Sequence, residues 1–163
     1  MRPEYPIECR CSHSGEASQL PFAQKAMQML PHGPGIVFEP TAQGLHVIAE
    51  TEMDLERPIE ILRDVFGEKL HVDPPAVRYR ADKPREEPHM GLRVMAGPLH
   101  FDTLKNDLLL RGATIIDAEQ NKHFSVVRAT APLKKLFGYH GKVAQLTGGR
   151  GHLVMWLSHY AAD

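Results

Sequence analysis

The sequence predicts an α+β protein of two β-α-β-β-α-β units, each an antiparallel sheet with two helices on one face. Two observations indicate this fold class. Strand-like and helix-like hydrophobic periodicities follow one another in the same order twice, and a proline-rich, charged stretch at residues 73–88 separates the repeats. A length of 163 residues suits two small domains. We therefore expect one domain over residues 1–80, a linker over 81–88 and a second domain over 89–163.

The first unit opens with a strand in which Ile7, Cys9 and Cys11 alternate with polar residues, a pattern typical of one buried face. Two helices follow, one on each side of a hairpin. Ser18 is suited to cap the first helix. The apolar stripe of that helix comprises Leu20, Ala23, Met27 and Leu30. The expected later elements are strands over 36–38 and 45–49, a helix over 55–66, and a broken strand over 70–72 and 76–80.

The second unit repeats this order. Pro98 is suited to open its first helix and Gly112 to end it, because proline fits the first helical turn and glycine adopts positive φ at low cost. The expected elements are a strand over 90–96, that helix, strands over 113–117 and 123–130, an interrupted helical segment over 132–146 and a strand over 151–157. Two such units constitute a double ferredoxin-like fold.

The glycine pattern argues against nucleotide binding. No GxxxxGK[ST] phosphate loop occurs, and no glycine-rich turn joins a strand to a helix. The densest glycine cluster, residues 148–151, precedes a strand instead. Its backbone amides can form either an anion-binding nest or a tight turn, and we favour the turn. We therefore expect neither a bound nucleotide nor another cofactor.

Residues with metal-binding or catalytic chemistry are present without a matching pattern. Cys9, Cys11 and His13 share one strand face and read either as half of a zinc site or as small buried residues. No second cysteine pair completes a site, so we favour burial and expect no metal. Ser158 and His159 are neighbours on a strand, which predicts side chains on opposite faces and no nucleophile–base pair. We expect no catalytic residues and no enzymatic activity.

The sequence gives no indication of a membrane. No apolar run approaches the roughly eighteen residues of a transmembrane helix. The first residues, MRPEYPIE, lack the apolar core of a signal peptide, so we expect a cytoplasmic protein.

The charge is distributed unevenly along the chain. The formal net charge of −1 alone predicts no polyanionic partner. Residues 1–87, however, carry a net −5, whereas residues 88–163 carry a net +4. The basic side chains of the second half indicate either phosphate contacts with RNA or an ordinary solvated face. The candidate RNA- or ribosome-binding residues are Lys105, Arg111, Lys134, Lys135, Lys142 and Arg150.

Motifs spread over the second half resemble the C-terminal domain, domain V, of translation elongation factor G. They include Phe-Gly-Tyr at 137–139, Leu-Thr-Gly-Gly-Arg-Gly at 146–151 and Ser-His-Tyr at 158–160. The first half is similar to domain III, through residues 52–56 and 75–80. The resemblance implies domain III joined directly to domain V, without the GTPase domain, the β-barrel domain II or domain IV, and hence no GTP hydrolysis.

The resemblance also implies a partner. Domain V of the family sits against ribosomal RNA and protein, and its first helix ends in a run of arginines. Here Leu109 and Leu110 stand at two of those positions, and because Leu104, Leu108 and Arg111 fall on one line, at least one of the two points away from the core.

We therefore expect a translation-factor-like module that associates with the ribosome or RNA through its basic face. The alternatives are a protein-interaction module using Leu109 and Leu110, as a homodimer or as a partner of a translational GTPase, or a diverged remnant of unknown function.

Overall fold

The computed structural model describes residues 4–80 and 84–163 and divides into two units, Met1–Arg78 and Tyr79–Asp163. Each unit contains one antiparallel sheet and two α-helices, so the predicted α+β class with two ferredoxin-like units is confirmed. Of the expected linker at 81–88, residues 81–83 lie outside the described residues and residues 86–88 already belong to a strand.

The first sheet has the strand order β2-β3-β1-β4, and β5 also pairs with β1. Pro74 and Pro75 separate β4 from β5 because neither has an N–H for the ladder. The elements are β1 (Ile7–His13), α1 (Gln19–Met29), β2 (Ile36–Thr41), β3 (Gly44–Ala49), α2 (Glu56–Phe66), β4 (Leu70–Val72) and β5 (Ala76–Val77).

The core of the first unit lies between its sheet and α1 and α2. The predicted alternation in β1 is confirmed: Ile7, Cys9 and Cys11 are at most 2% exposed. The stripe predicted for α1 is only partly correct. Leu20 is 38% exposed, and the residues that α1 buries are Phe22, Ala23 and Ala26.

The second sheet has the strand order β7-β8-β6-β9. Short 3₁₀ turns precede both helices, so the interruption predicted after Pro132 is confirmed. Gly112 ends the first of these helices with φ +81°, as expected for a glycine cap. The elements are β6 (Glu86–Ala96), α3 (Phe101–Leu110), β7 (Thr114–Gln120), β8 (Ser125–Pro132), α4 (Tyr139–Thr147) and β9 (His152–Ala162).

The second sheet has two chemically different faces. Met90, Leu92 and Val94 of β6 are fully buried on the side of the helices, together with Leu104 and Leu108 of α3. Alternate residues along β6 and their cross-strand partners lie on the opposite side. We call this side the open face; its residues include Gly91, Arg93, Met95, Arg128, Thr130, Val154 and Trp156.

The helices in the described part of the chain are too short or too polar to span a lipid bilayer.

Candidate functional site

The glycine turn at residues 148–151 is closed by its own hydrogen bonds. Its first two amides donate to the carbonyl of Ala144, the third donates to the carbonyl of Thr147 at 3.3 Å, and the fourth donates to Thr147 Oγ1 at 2.7 Å. Gly148 and Gly149 both have positive φ. Because each amide already has an acceptor, this segment is a tight turn rather than an anion-binding nest.

Arg111, one of the predicted RNA-binding residues, connects α3 to the segment before α4. Its Nε donates to Asp107 Oδ2 at 3.1 Å, and its Nη1 donates to the carbonyl of Lys135 at 3.3 Å. Its guanidinium carbon also lies 4.9 Å from the ring centroid of Tyr139. Burial and the nearby Asp107 carboxylate raise the pKa of Tyr139. With 22% of its side chain exposed, Arg111 already has partners within the unit.

Lys134 belongs to a charge network between the beginning of β6 and the end of β9. Its Nζ lies 3.0 Å from Glu87 Oε2 and 3.1 Å from Asp163 Oδ1, and Arg85 pairs with the same aspartate. The hydrogen bonds to Glu87 and then to Asp163 raise the pKa of Lys134, whereas those from Arg85 and then Lys134 lower the pKa of Asp163. An incoming phosphate would compete with two carboxylates for this ammonium group.

The other four predicted cations are less constrained. Lys105 Nζ lies 4.9 Å from the ring centroid of Phe101. The side chains of Lys135, Lys142 and Arg150 make no ion pair with any residue in the described ranges 4–80 and 84–163. The structure therefore places three uncompensated cations along one segment, from the 3₁₀ turn before α4 to the turn after it. Their contact with RNA remains a prediction.

The two leucines predicted as a protein interface are exposed. Leu109 is 54% and Leu110 is 88% exposed, whereas Leu104 and Leu108 are fully buried, in agreement with the helical spacing. Leu99, just before α3, is 93% exposed and was missed by the sequence analysis. Its position after Pro98 in a 3₁₀ turn lies outside the helical periodicity that would have revealed it.

The expectation for Ser158 and His159 was wrong in its geometry. Ser158 Oγ lies 3.0 Å from His159 Nδ1. The register of β9 shifts here, so that Leu157 pairs with Met90 and His159 with His89, and Ser158 is an extra residue in a β-bulge. The bulge removes the strict alternation of faces. The His159 ring stacks on His89, with ring centroids 4.9 Å apart, and both Ser158 and His159 are exposed.

Cys9, Cys11 and His13 have packing roles. Cys9 Sγ donates to the carbonyl of Asp73 at 3.2 Å, and the hydrogen bond to Cys9, with burial, raises the pKa of Cys11. The ring of His13 packs against Phe22 and Phe66, with both centroids 5.6 Å away. The described residues contain no group of three or more His, Cys, Asp or Glu side chains placed to hold a metal ion.

Comparisons with known proteins support a translation-factor-like module in the second half of the chain. A family model described as "Elongation factor G C-terminus" matches residues 85–162. Residues 85–162 thus match the elongation factor G C-terminal family, and the predicted resemblance is confirmed there.

Curated relatives match the same half of the chain. Elongation factor G of Mycoplasma pneumoniae is 36% identical over 75 residues, which are 46% of this chain and 11% of that protein. Elongation factor G of Aquifex pyrophilus is 36% identical over 81 residues, which are 50% of this chain and 12% of that protein. The chain thus spans about a tenth of the length of these relatives.

A solved structure matches the whole chain. A crystal structure of a protein from Thermus thermophilus aligns with 100% of this chain and 42% of that chain, with a TM-score of 0.70. Because the sequence identity is 16%, this likeness shows the fold alone.

Proposed function

We propose that the chain is a non-catalytic translation-factor-like module that associates with the ribosome by binding ribosomal RNA through the basic segment around α4. The residues proposed to contact phosphates are Lys135, Lys142 and Arg150. Arg111 anchors this segment to α3 by binding both Asp107 and the Lys135 carbonyl, and Lys134 anchors it to β6 through Glu87. Lys105 on α3 is a subsidiary contact.

The observation that carries the proposal is the difference between paired and unpaired cations in one unit. Arg111 and Lys134 lie within 3.1 Å of carboxylate oxygens, so a phosphate must displace an existing partner to reach them. Lys135, Lys142 and Arg150 have no such partner among the described residues. Cations of this kind release condensed counterions from RNA without first breaking an ion pair, which favours sequence-independent and salt-sensitive binding.

The proposal includes no GTP hydrolysis by these residues. The sequence contains no phosphate loop, and the amides of its densest glycine turn already donate to Ala144 and Thr147. We further propose that residues 1–80 are a domain III-like unit and residues 89–163 a domain V-like unit, and that the protein acts in the cytoplasm, where ribosomes are.

Co-sedimentation with purified ribosomes tests the proposal. We expect the chain to pellet with ribosomes at low salt and to be released as the salt concentration rises, because phosphate contacts are screened and counterions compete. No pelleting at low salt would contradict the proposal. Pelleting that is insensitive to salt would contradict its electrostatic basis.

A second candidate function is protein recognition through Leu109 and Leu110, by a second copy or by a translational GTPase. The observation that favours it is the exposure of these adjacent leucines, 54% and 88%, at the end of α3. Light scattering of the wild type and of Leu110→Asp tests whether the partner is a second copy of the chain. A dimer that the substitution converts to a monomer would favour this candidate, and a monomer in both cases would count against a homodimer.

A further inference from the structure

The open face of the second sheet carries an exposed indole at its centre. Trp156 of β9 pairs with Gly91 of β6 and remains 42% exposed. A Cβ atom at Gly91 would lie 2.4 Å from Cε2 and Nε1 of the indole, so the ring occupies the space that any other residue at position 91 would fill. The glycine thus seats the ring against the β6 backbone, and the ring still offers surface to solvent.

Beside this ring lies an arginine pair with a single carboxylate. Arg93 of β6 stands directly opposite Arg128 of β8, an arrangement in which like charges repel. Arg128 Nη1 donates to Asp117 Oδ1 at 2.9 Å. Arg93 has no ion-pair partner among residues 4–80 and 84–163. Arg93 lies two residues after Gly91 along β6 and is therefore the diagonal neighbour of Trp156. Strand geometry separates such diagonal neighbours by roughly 7–8 Å.

Hydrogen-bonding side chains lie on the other side of Gly91, toward the start of β6. His89, two residues before Gly91, stacks on His159, and Ser158 hydrogen-bonds to His159. Thr130 of β8 faces Gly91 from the other side. Apart from Glu87 of β6, whose Oε1 lies 3.7 Å from His89 Nε2, the acidic residues of this face lie on the edge strand β7, two strands away from β6. These are Asp117 and Glu119.

We propose that the open face binds single-stranded RNA, with a base stacking on Trp156 and the neighbouring phosphate contacting Arg93. Aromatic side chains on an exposed sheet, flanked by arginines, bind single strands because every base has a π-face and every nucleotide carries a phosphate. An anion at Arg93 also relieves the cross-strand repulsion from Arg128. This deepens the proposed function, since it assigns RNA contact to a second surface, on the side of the sheet opposite α4.

The fluorescence of Trp156 can be used to measure binding at the open face. Trp156 is the only tryptophan of the chain, so its emission can be followed without introducing a label. The probe is a ten-nucleotide oligoadenylate RNA titrated into the full chain at low salt. We expect saturable quenching of the emission. Unchanged emission under saturating RNA would overturn the proposal.

Substitutions at Trp156 and Arg93 separate the contribution of base stacking to RNA affinity from the contribution of charge. Binding of the same oligonucleotide, labelled with fluorescein, is followed by anisotropy. We expect Trp156→Ala to weaken affinity about five- to a hundredfold and Trp156→Phe much less, since a phenyl ring still stacks. We expect Arg93→Gln to weaken it about fivefold. The matched control is Lys25→Gln on α1, which also removes one exposed charge and should leave affinity unchanged.

The outcomes distinguish this proposal from the one it deepens. Ribosome binding that depends on Lys142 and Arg150, with no quenching by oligoadenylate, would overturn the open-face site alone. Quenching without ribosome binding would support the open-face site and contradict the proposed function. Emission that shifts with protein concentration in the absence of RNA, together with a dimer in light scattering, would show a protein-binding face and overturn the RNA assignment.

Discussion

The two sheets share one topology, but they differ in how far their charged side chains form ion pairs within the unit. In the first unit, Arg10 pairs with Asp73 at 2.9 Å, and Glu8 lies within 3.7 Å of both Arg78 and His46. The polar side of β1 therefore compensates its charges within the unit. In the second unit, the open face sets Arg93 opposite Arg128, whose one carboxylate partner, Asp117, lies on the far side of it, and exposes Trp156.

The difference indicates where binding takes place. A sheet whose ion pairs are internal has little to gain from an added anion. A sheet with an uncompensated arginine and an exposed aromatic ring gains both a charge partner and apolar contact. The net charges of −5 for residues 1–87 and +4 for residues 88–163 follow the same division.

The largest contrast between the two sheets is expected from glycines with different neighbours. Gly44, at φ +134°, would place a Cβ 2.3 Å from the backbone oxygen of Cys11, so Gly44→Ala should cost about 3 kcal/mol of unfolding free energy. A Cβ at Gly91 meets the Trp156 side chain, which can rotate away, so Gly91→Ala should cost about 1 kcal/mol. Urea denaturation measures both. Equal losses of unfolding free energy in the two variants would mean that the Trp156 side chain cannot rotate away from Gly91.

The next effect concerns the turn that presents Arg150. Thr147 Oγ1 accepts from the Gly151 amide and donates to the Val143 carbonyl, both at 2.7 Å. Thr147→Val leaves the amide without its partner and should cost about 1–3 kcal/mol. Thr147→Ser keeps the hydroxyl and is the control. Thermal unfolding measures the stability of both variants. A valine variant as stable as the serine variant would contradict the role given to this hydroxyl.

A smaller, pH-dependent effect is expected at Asp163. Arg85 and then Lys134 lower its pKa in the folded state, so its stabilising contribution is present above the unfolded-state value of about 3.9 and is lost as the pH falls below it. The difference in Tm between wild type and Asp163→Asn should be constant above about pH 5 and shrink below about pH 4. A difference that grows on acidification would contradict this sign.

The smallest effect is expected at the exposed end of α3. Leu110→Ser should change unfolding free energy by less than about 0.5 kcal/mol, because Leu110 is 88% exposed. Leu104→Ala, at a fully buried position on the same helix, should cost about 2–5 kcal/mol. Denaturant titration of both variants measures this contrast. A large loss at Leu110 would show that an assembly buries it.

Much of the fold was predictable because the periodicities are local. The order of strands and helices, the break before α4 and the glycine cap at Gly112 follow from spacing and backbone preferences. The start of β6 was placed four residues too late because Pro88 suggested a linker. Pro88 pairs with β9 alone, since β8 pairs no further than His89, and a proline is tolerated where one side of the strand has no neighbour.

The candidate surfaces were less predictable because they depend on partners distant in sequence. Nothing near Lys134 in the sequence shows that Glu87 and Asp163 meet it, and nothing near Arg93 shows that it faces Arg128. The bulge at Ser158 likewise arises from the pairing of β9 with β6. Residue types alone thus indicated a basic half, and only the tertiary pairing separates its compensated cations from its free ones.

The central claim is that uncompensated cations of the second unit bind ribosomal RNA, and the salt dependence of ribosome affinity tests it most directly. For the triple variant Lys135→Gln, Lys142→Gln, Arg150→Gln, we predict a slope of log affinity against log salt about two units shallower than that of the wild type. The matched triple variant Lys25→Gln, Arg63→Gln, Lys69→Gln removes equal charge from the first unit and should keep the wild-type slope. Equal slopes in all three proteins would contradict the claim.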